Sequence, residues 1–383
     1  MRSAVAAVWA VILVAFFVQA GNGLQTDLIG LKAASVFSTG VIGLMLASYY
    51  AGFSLAPLIG RAVIGRIGHV TAVVVTMVAA GAVILVMPLF VDAVAWSVFR
   101  VISGFTMSLT YVAIESWIND AVPNEVRGRT FSLYTFAQMV GMTLAQVLFG
   151  MGQAGTYSPY VLSGLLFVLA GAPVLILRKA APSGVPPKPL GIAKLFHVSP
   201  AGASATVLSG LSWSILFMFG PVYARQIGLD VGGVGLFMGL AVAAGGIVQV
   251  PAGWASDAIG RRPVLLTIFG CGLVACTLGL VAHGSLLSLV AVALVGGFVF
   301  PIYAIAAATV NDGVAQETRV AAASGLVLLF GLGSIFGPLL CGWVMTAIGL
   351  SGFYGLLAAT MAGGIAVTAL SRITKREYQQ HTA

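Results

Sequence analysis

Charge is what this chain has least of: 18 Lys and Arg and 10 Asp and Glu in 383 residues, or 7%. A soluble domain carries roughly a quarter charged residues, so most of this chain is not built to face water. Cysteine is scarce as well. Cys271, Cys276 and Cys341 all lie inside apolar runs and read as buried thiols, with neither a disulfide framework nor metal-ligand spacing. His69, His197, His283 and His381 have no second ligand at helical spacing, so no metal site is expected. The chain has no phosphate-cradling loop, no nucleotide-binding domain and no nucleophile elbow. ATP-driven pumping and enzymatic chemistry are excluded on that ground, and no cofactor is expected. Segments of alternating hydrophobicity do not recur, which excludes a lipid-facing β-barrel. The net charge of +8 does not point to nucleic acid, because the basic residues are few and sit between apolar runs.

Hydrophobic residues are what the chain has in excess: 60% of the total, with a mean hydropathy of +1.07. A helix that crosses a bilayer needs about 20 apolar residues. That ruler predicts an all-α membrane protein with twelve spans, at 4–29, 38–60, 70–91, 94–118, 128–151, 158–178, 202–224, 232–256, 263–283, 286–310, 320–346 and 350–371. With both termini cytoplasmic, fifteen of the eighteen Lys and Arg fall inside; only Lys32 and Arg225 fall outside, and Arg100 lies within a span. Positive charge stays on the cytoplasmic side, which fixes the orientation. Arg2, the apolar stretch after it and Val18-Gln19-Ala20 also fit a cleavable leader. The first span nevertheless has a partner in the second half and is read as a span.

That partner comes from an internal repeat. At an offset of 192 residues, the segment from Asn119-Asp120 to Glu125 and Arg127 falls on Asn311-Asp312 to Glu317 and Arg319, and Ile67-Gly68 falls on Ile259-Gly260. One offset that fits both places, at half the chain length, reads as a tandem duplication of six spans. Six is even, so the halves enter the membrane the same way round, as in one transporter design. Residues 1–179 form the first six-helix bundle and 202–383 the second. Between them, 180–201 holds Pro182, Pro186, Pro187, Pro189 and Pro200 and reads as a cytoplasmic linker that lets the halves rock.

Gly253-Trp254-Ala255-Ser256-Asp257-Ala258-Ile259-Gly260-Arg261-Arg262 resembles the Gly-x-x-x-Asp-Arg-x-Gly-Arg-Arg loop of the major facilitator superfamily, with Ala258 in place of an Arg. The first-half counterpart, Gly65-Arg66-Ile67-Gly68-His69, lacks the Asp. Arg100-Val101-Ile102-Ser103-Gly104 and Pro123 to Arg127-Gly128-Arg129 are similar to two further motifs of that family. Ala113-Ile114-Glu115-Ser116, Gly141 to Gln146 and Pro221-Val222-Tyr223 look most like its YcaD-type branch. The resemblance covers essentially the whole chain. It implies two pseudo-symmetric six-helix bundles, spans 1, 4, 7 and 10 around a central cavity, and alternating access to one site. It also implies charge pairs across the cytoplasmic face, formed when the protein is open outward. On that basis Arg66, Asp120, Arg127, Gly253, Asp257, Gly260, Arg261, Asp312 and Arg319 are expected to form a cytoplasmic gate, the alternative being ordinary topology anchors with acidic neighbours.

Span 4 holds the other candidates. Arg100, Gly104, Ser108, Tyr111 and Glu115 step by 4, 4, 3 and 4 and so share one helix face. A charge inside a span costs at least about 2.5–3.5 kcal/mol on insertion scales, so this face needs protein or water beside it. Arg100 and Glu115 lie fifteen residues apart, roughly 22 Å along the axis, too far for a direct pair. Glu115 is read either as a carrier of a proton or a cationic group, or as a structural carboxyl bonded to neighbouring spans. Arg100 either tunes a nearby site or is held by carbonyls. Asn22, Gln25 and Asp27 come late in span 1, where Gly21 and Gly23 are expected to loosen the helix. Gln138 and Gln146 (span 5), Trp213, Phe217 and Tyr223 (span 7) and Tyr303 (span 10) are cavity candidates, or packing and interfacial aromatics. Gly235, Gly239, Gly333 and Gly337 are expected to let helices approach closely. Gly333 to Pro338 is similar to an antiporter motif that the family carries in span 5, where this chain has Gln146 instead of the Pro.

These residues together predict a secondary transporter in the bacterial inner membrane, working as a single chain on a small amphipathic solute. Proton-coupled efflux is the leading mode, and proton symport or uniport of a metabolite the next. A transporter-like sensor or assembly factor that moves nothing is the reading of another class. The partners expected are the solute, protons and the bilayer.

Overall fold

A computed structural model describes residues 2–121, 124–152, 156–176, 189–282, 285–315 and 318–371; the side chains of 2–8, 119–121, 124–129, 131, 285 and 320 lie outside that description. Among the described residues there is no strand. The helices are α1 (Arg2–Val36), α2 (Thr39–Val86), α3 (Ala93–Ala121), α4 (Asn124–Met151), α5 (Ser158–Ile176), α6 (Ile192–Val198), α7 (Pro200–Ser214), α8 (Gly220–Gln226), α9 (Val231–Ile259), α10 (Arg261–Val281), α11 (Ser285–Asp312), α12 (Arg319–Ile348) and α13 (Ser351–Leu370). Eleven helical stretches among the described residues are long and apolar enough to cross a membrane. One of them, Thr39–Leu89, runs for 51 residues and is two spans in one, broken at Gly68. The described residues therefore carry twelve crossings.

The expected loop over 61–69 is not a loop. Helix continues to Gly68, where φ 77° and ψ 164° turn the chain within one residue. Gly260, which the 192-residue offset equates with Gly68, does the same between α9 and α10 with φ 93° and ψ 158°. Only glycine enters that region without a Cβ clash, so the sequence repeat is also a repeat of backbone conformation. Span 7 departs from expectation too. It is α7, a wide π-helical turn at Ile215–Phe219, and α8. Pro221 has no N–H to give to the carbonyl four residues earlier, and the helix loosens over the turn before it.

The chain divides into two compact units, one of Met1–Pro187 with Phe217–Gly239, the other of Lys188–Leu216 with Leu240–Ala383. The expected linker of 180–201 is only partly a tether. Residues 177–188 lie outside the described residues, but α6 is packed: Leu195 is buried with Ala203, Val310, Ala322, Leu326 and Leu329, and the Leu190 N–H donates to the Ala321 carbonyl at 2.7 Å. An apolar face on a seven-residue helix docks this segment on the second unit. Cys276 and Cys341 are buried as expected, whereas Cys271 is only partly so.

Backbone contact at glycines holds the seams. A Cβ on Gly104 of α3 would lie 1.8 Å from the Tyr49 carbonyl oxygen, and one on Gly52 of α2 would lie 1.9 Å from the Val101 carbonyl oxygen. The offset of 192 maps Gly104 onto Gly296 and Tyr49 onto Ala241, and a Cβ on Gly296 would stand 2.3 Å from the Ala241 carbonyl oxygen. A Cβ on Gly141 would lie 2.3 Å from the Phe16 carbonyl oxygen. Gly141 maps onto Gly333, where a Cβ would lie 2.0 Å from the carbonyl oxygen of Val207, one residue before the Leu208 that the offset gives for Phe16. Lipid tails are as apolar as leucine, so close van der Waals approach, rather than expulsion of water, has to join these helices. Gly235 meets Gly150 and Gly337 meets Ser214 at similarly short range, while Gly239 is in ordinary contact. Gly21 and Gly23 belong to the same class, against Phe167 and Ala145, and α1 is continuous through them. The expected loosening of span 1 is absent, because these glycines admit neighbours instead of unwinding the helix.

Gly104→Val is expected to lower the thermal midpoint of the purified protein sharply or to abolish a monodisperse preparation, since overpacking costs about 1–3 kcal/mol or more. Gly363→Ala, where nothing lies within 4 Å, is expected to leave it unchanged or slightly higher. Equal midpoints for the two variants would contradict this role for the seams.

Candidate functional site

In the first unit, apolar helices hold two groups of polar side chains, one at each end of α3. Nearer Ala93, Arg100 is fully enclosed at 0% exposure. Its guanidinium lies 4.4 Å from the Tyr49 ring centroid, and its Nη2 donates to the Met218 sulfur at 3.1 Å. The Tyr49 hydroxyl donates to Asn22 Oδ1 at 3.3 Å. Gln25 Nε2 donates to Ser103 Oγ at 2.9 Å, three residues along α3 from Arg100 and so on the same face. Asp27, 1% exposed, is hydrogen-bonded by the side-chain amide of Gln146 from α4. Several atoms of this group have no hydrogen-bond partner: Arg100 Nε and Nη1, Gln25 Oε1, Asp27 Oδ2 and Gln146 Oε1.

Nearer Ala121, Glu115 is half-buried and hydrogen-bonded to the Tyr134 hydroxyl of α4, which also pairs with Gln138 one turn along. The Tyr111 hydroxyl donates to Gln19 Oε1 at 2.9 Å, and the Tyr111 ring stands 6.4 Å from that of Phe53. His69, buried directly after the Gly68 break, lies 3.2 Å from Ser116 Oγ. The polar face of α3 is thus met by partners from α1, α2 and α4. Its sequence spacing identified the helix face, and the structure adds Gln19, Tyr49, Ser103, Tyr134 and Met218. Single polar residues in apolar spans, such as Gln19 and the Tyr49-Tyr50 pair, were the available signal for two of these. Nothing local marks Met218.

The second unit holds the aromatic candidates. Trp213 packs edge-on against Phe300, with centroids 4.8 Å apart, and against Phe330 at 6.3 Å; Tyr303 meets Phe330 at 5.3 Å. Phe217 is buried in the π-helical turn and groups with the first unit. Tyr223 stands against Phe237 at 6.0 Å.

Of the gate candidates, Arg261 bridges two carboxylates. Its Nε donates to Asp312 Oδ2 at 3.0 Å, and its Nη1 pairs with Asp257, tying the ends of α9, α10 and α11 within the second unit. Nη1 also reaches Ser256 Oγ at 3.1 Å. Gly260 supplies the turn that starts α10, whereas a Cβ on Gly253 would meet nothing within 4 Å. Arg66 and Arg319 are exposed and pair with no carboxylate among the described residues. The side chains of Asp120 and Arg127 lie outside the description. Arg262, the last residue of the loop motif, donates to the carbonyls of Thr368 and Ala369 and so holds the end of α13. Among the described residues, no group of three or more His, Cys, Asp and Glu is placed to hold a metal ion.

Comparison with known proteins gives this arrangement a family. The model of the Major Facilitator Superfamily matches the chain twice, at residues 4–201 and 202–382, once for each half of the duplication. Sequence relatives include the uncharacterized MFS-type transporter YcaD of Escherichia fergusonii, 26% identical over 302 residues and 78% of each chain. An uncharacterized MFS-type transporter of Yersinia pestis is 25% identical over 350 residues, 89% of this chain and 88% of that one. Among solved structures, the nucleoside transporter NupG superposes with a TM-score of 0.76 at 14% identity over 95% of this chain and 97% of that one. A D-xylose-proton symporter superposes at 0.72 and 15% identity over 94% and 96%. At such identities the two structures are evidence of the fold alone. The double family match, the twelve crossings and the YcaD-type relatives together make this chain a member of the major facilitator superfamily of membrane transporters.

Proposed function

We propose that the chain is a secondary transporter that moves a small amphipathic solute across the bacterial inner membrane by alternating access, as proton-coupled efflux. The position of Glu115 carries this reading. It is a half-buried carboxyl inside a membrane-spanning helix, hydrogen-bonded to Tyr134 and on the helix face it shares with Arg100. A carboxyl in an apolar span has to meet a proton, a cation or a polar partner, and such residues in membrane helices are functional by default. Tyr134 can donate to the ionised carboxyl and accept from the protonated one, so both states have a partner. The sparse embedded charge favours an amphipathic solute over a strongly charged one. With no nucleotide site in the sequence, the driving force is an ion gradient.

Both termini are cytoplasmic in this account, on the distribution of Lys and Arg between the spans. Glu115 then lies in the cytoplasmic third of its helix and Arg100 in the outer third, and the breaks at Gly68 and Gly260 face the cytoplasm. A single chain, 1–179 and 202–383 with the linker between them, is sufficient for this mechanism. The Arg261 bridge serves as a cytoplasmic latch. Its members are substantially exposed, with Asp257 at 68% and Asp312 at 46% of side-chain surface, and an exposed pair is worth about 0.2–1 kcal/mol. The bridge therefore adds little to the fold, and its role is in the switch between states.

Two measurements follow. In proteoliposomes, Glu115→Gln is expected to abolish solute movement driven by a pH gradient while leaving solute exchange at equal pH; full gradient-driven transport in this variant would sink the proton role. Asp312→Asn is expected to reduce the transport rate severalfold with a thermal midpoint near that of the wild type. A large fall in midpoint with an unchanged rate would make the bridge a structural contact instead.

A further inference from the structure

From the outer polar group we infer that Arg100 is the anchor of a carboxylate-binding site, and that the solute is a small carboxylic acid with an apolar body. The assignment of that acid as the transported solute rests on the transport reading above; the binding site itself does not.

The guanidinium is permanently charged and carries five N–H donors. Here it is enclosed at 0% exposure with one hydrogen-bond partner, the Met218 thioether, a weak acceptor. Nε and Nη1 have none. The ion pairs among the described residues are those of Arg261, and no described carboxylate pairs with Arg100. The Tyr49 ring offers a cation a favourable face at 4.4 Å, but it neither neutralises the charge nor satisfies those donors. A buried charge without an anion is among the costliest groups a protein can hold. A planar fork of donors matches a carboxylate in both geometry and charge.

Gln25 adds a second, independent element. It too is 0% exposed and is fixed through Nε2 to Ser103, three residues from Arg100, while its Oε1 has no donor. Donors without an acceptor on Arg100 and an acceptor without a donor on Gln25 therefore stand about one helical turn apart along α3, where Ser103 holds Gln25 three residues from Arg100. A carboxylic acid that also bears a hydroxyl or amine hydrogen satisfies both.

The test uses the full chain in lipid nanodiscs at pH 7, with binding of hexanoate and 3-hydroxyhexanoate measured beside the uncharged hexanamide and the cationic hexylamine. The acids are expected to bind saturably, with the amide and the amine about tenfold to a hundredfold weaker. Arg100→Met is expected to erase the preference, whereas the lipid-facing control Val98→Ala keeps it. Equal binding of acid and amide, no saturable binding of either acid, or an unchanged preference in Arg100→Met would each overturn the site. Should Arg100→Met fail to fold, the ligand comparison on the wild type decides by itself. Saturable acid binding without flux in proteoliposomes would leave the site standing and remove the transport reading. Flux of some other solute without acid binding would do the reverse.

Discussion

An ionised side chain in a bilayer has to be walled off from lipid by protein, and Arg100 shows what that requires of the rest of the structure. The guanidinium is fully enclosed, against Tyr49 of α2 and Met218 of the turn before α8, yet no described residue gives it an anion. To keep lipid away from it, α2 and α3 must touch along their backbones, and Gly52 and Gly104 allow that contact. Larger residues at those positions would open the seam that encloses the charge. Packing and electrostatics are thus one problem here. In the first unit the small residues that join α2 to α3 also help to bury the polar face of α3.

The duplication extends this principle to the second half. Gly104 and Gly296, Gly141 and Gly333, and Gly68 and Gly260 stand one repeat apart, each pair in a matching structural role. The polar residues inside the spans do not follow the repeat, although Asp120 and Arg127, between spans 4 and 5, do recur as Asp312 and Arg319. The position of Arg100 falls on Val292 and that of Glu115 on Ala307, and the second unit presents aromatic rings around Phe330 instead. Conversely, the Arg261 position falls on His69 in the first half, and the Asp257 position on Gly65. The glycine scaffold thus recurs in both halves, whereas Arg100 and Glu115 occur in the first alone and Asp257 and Arg261 in the second alone.

Much of this was legible in the sequence because it is local or periodic. Apolar runs of span length gave the twelve crossings, one offset gave the repeat, and steps of three and four put Arg100, Ser108, Tyr111 and Glu115 on one face. What escaped was set by tertiary contact. With 49 glycines in the chain, nothing local distinguishes Gly104, pressed on a carbonyl, from Gly363, which faces open space. Gly21 and Gly23 were for that reason read as loosening a helix that is continuous. The docking of α6 and the partners Tyr134 and Met218 depend on which helices become neighbours. The helical run up to Gly68 was hidden because the charged residues Arg61 and Arg66 mark the end of the membrane, not the end of the helix.

The central claim is that the polar face of α3 borders water-filled space during the working cycle, whereas its opposite face meets lipid. Thiol accessibility along α3 tests this most directly, in a background in which Cys271, Cys276 and Cys341 are replaced by serine or alanine. Ser108→Cys, on the polar face, is predicted to react in native membranes with a charged, water-soluble thiol reagent. Val98→Cys, at a position 53% exposed on the outer surface of the same helix, is predicted to stay unmodified. The reverse pattern, or an inert thiol at position 108 in both orientations of the membrane, would contradict the account.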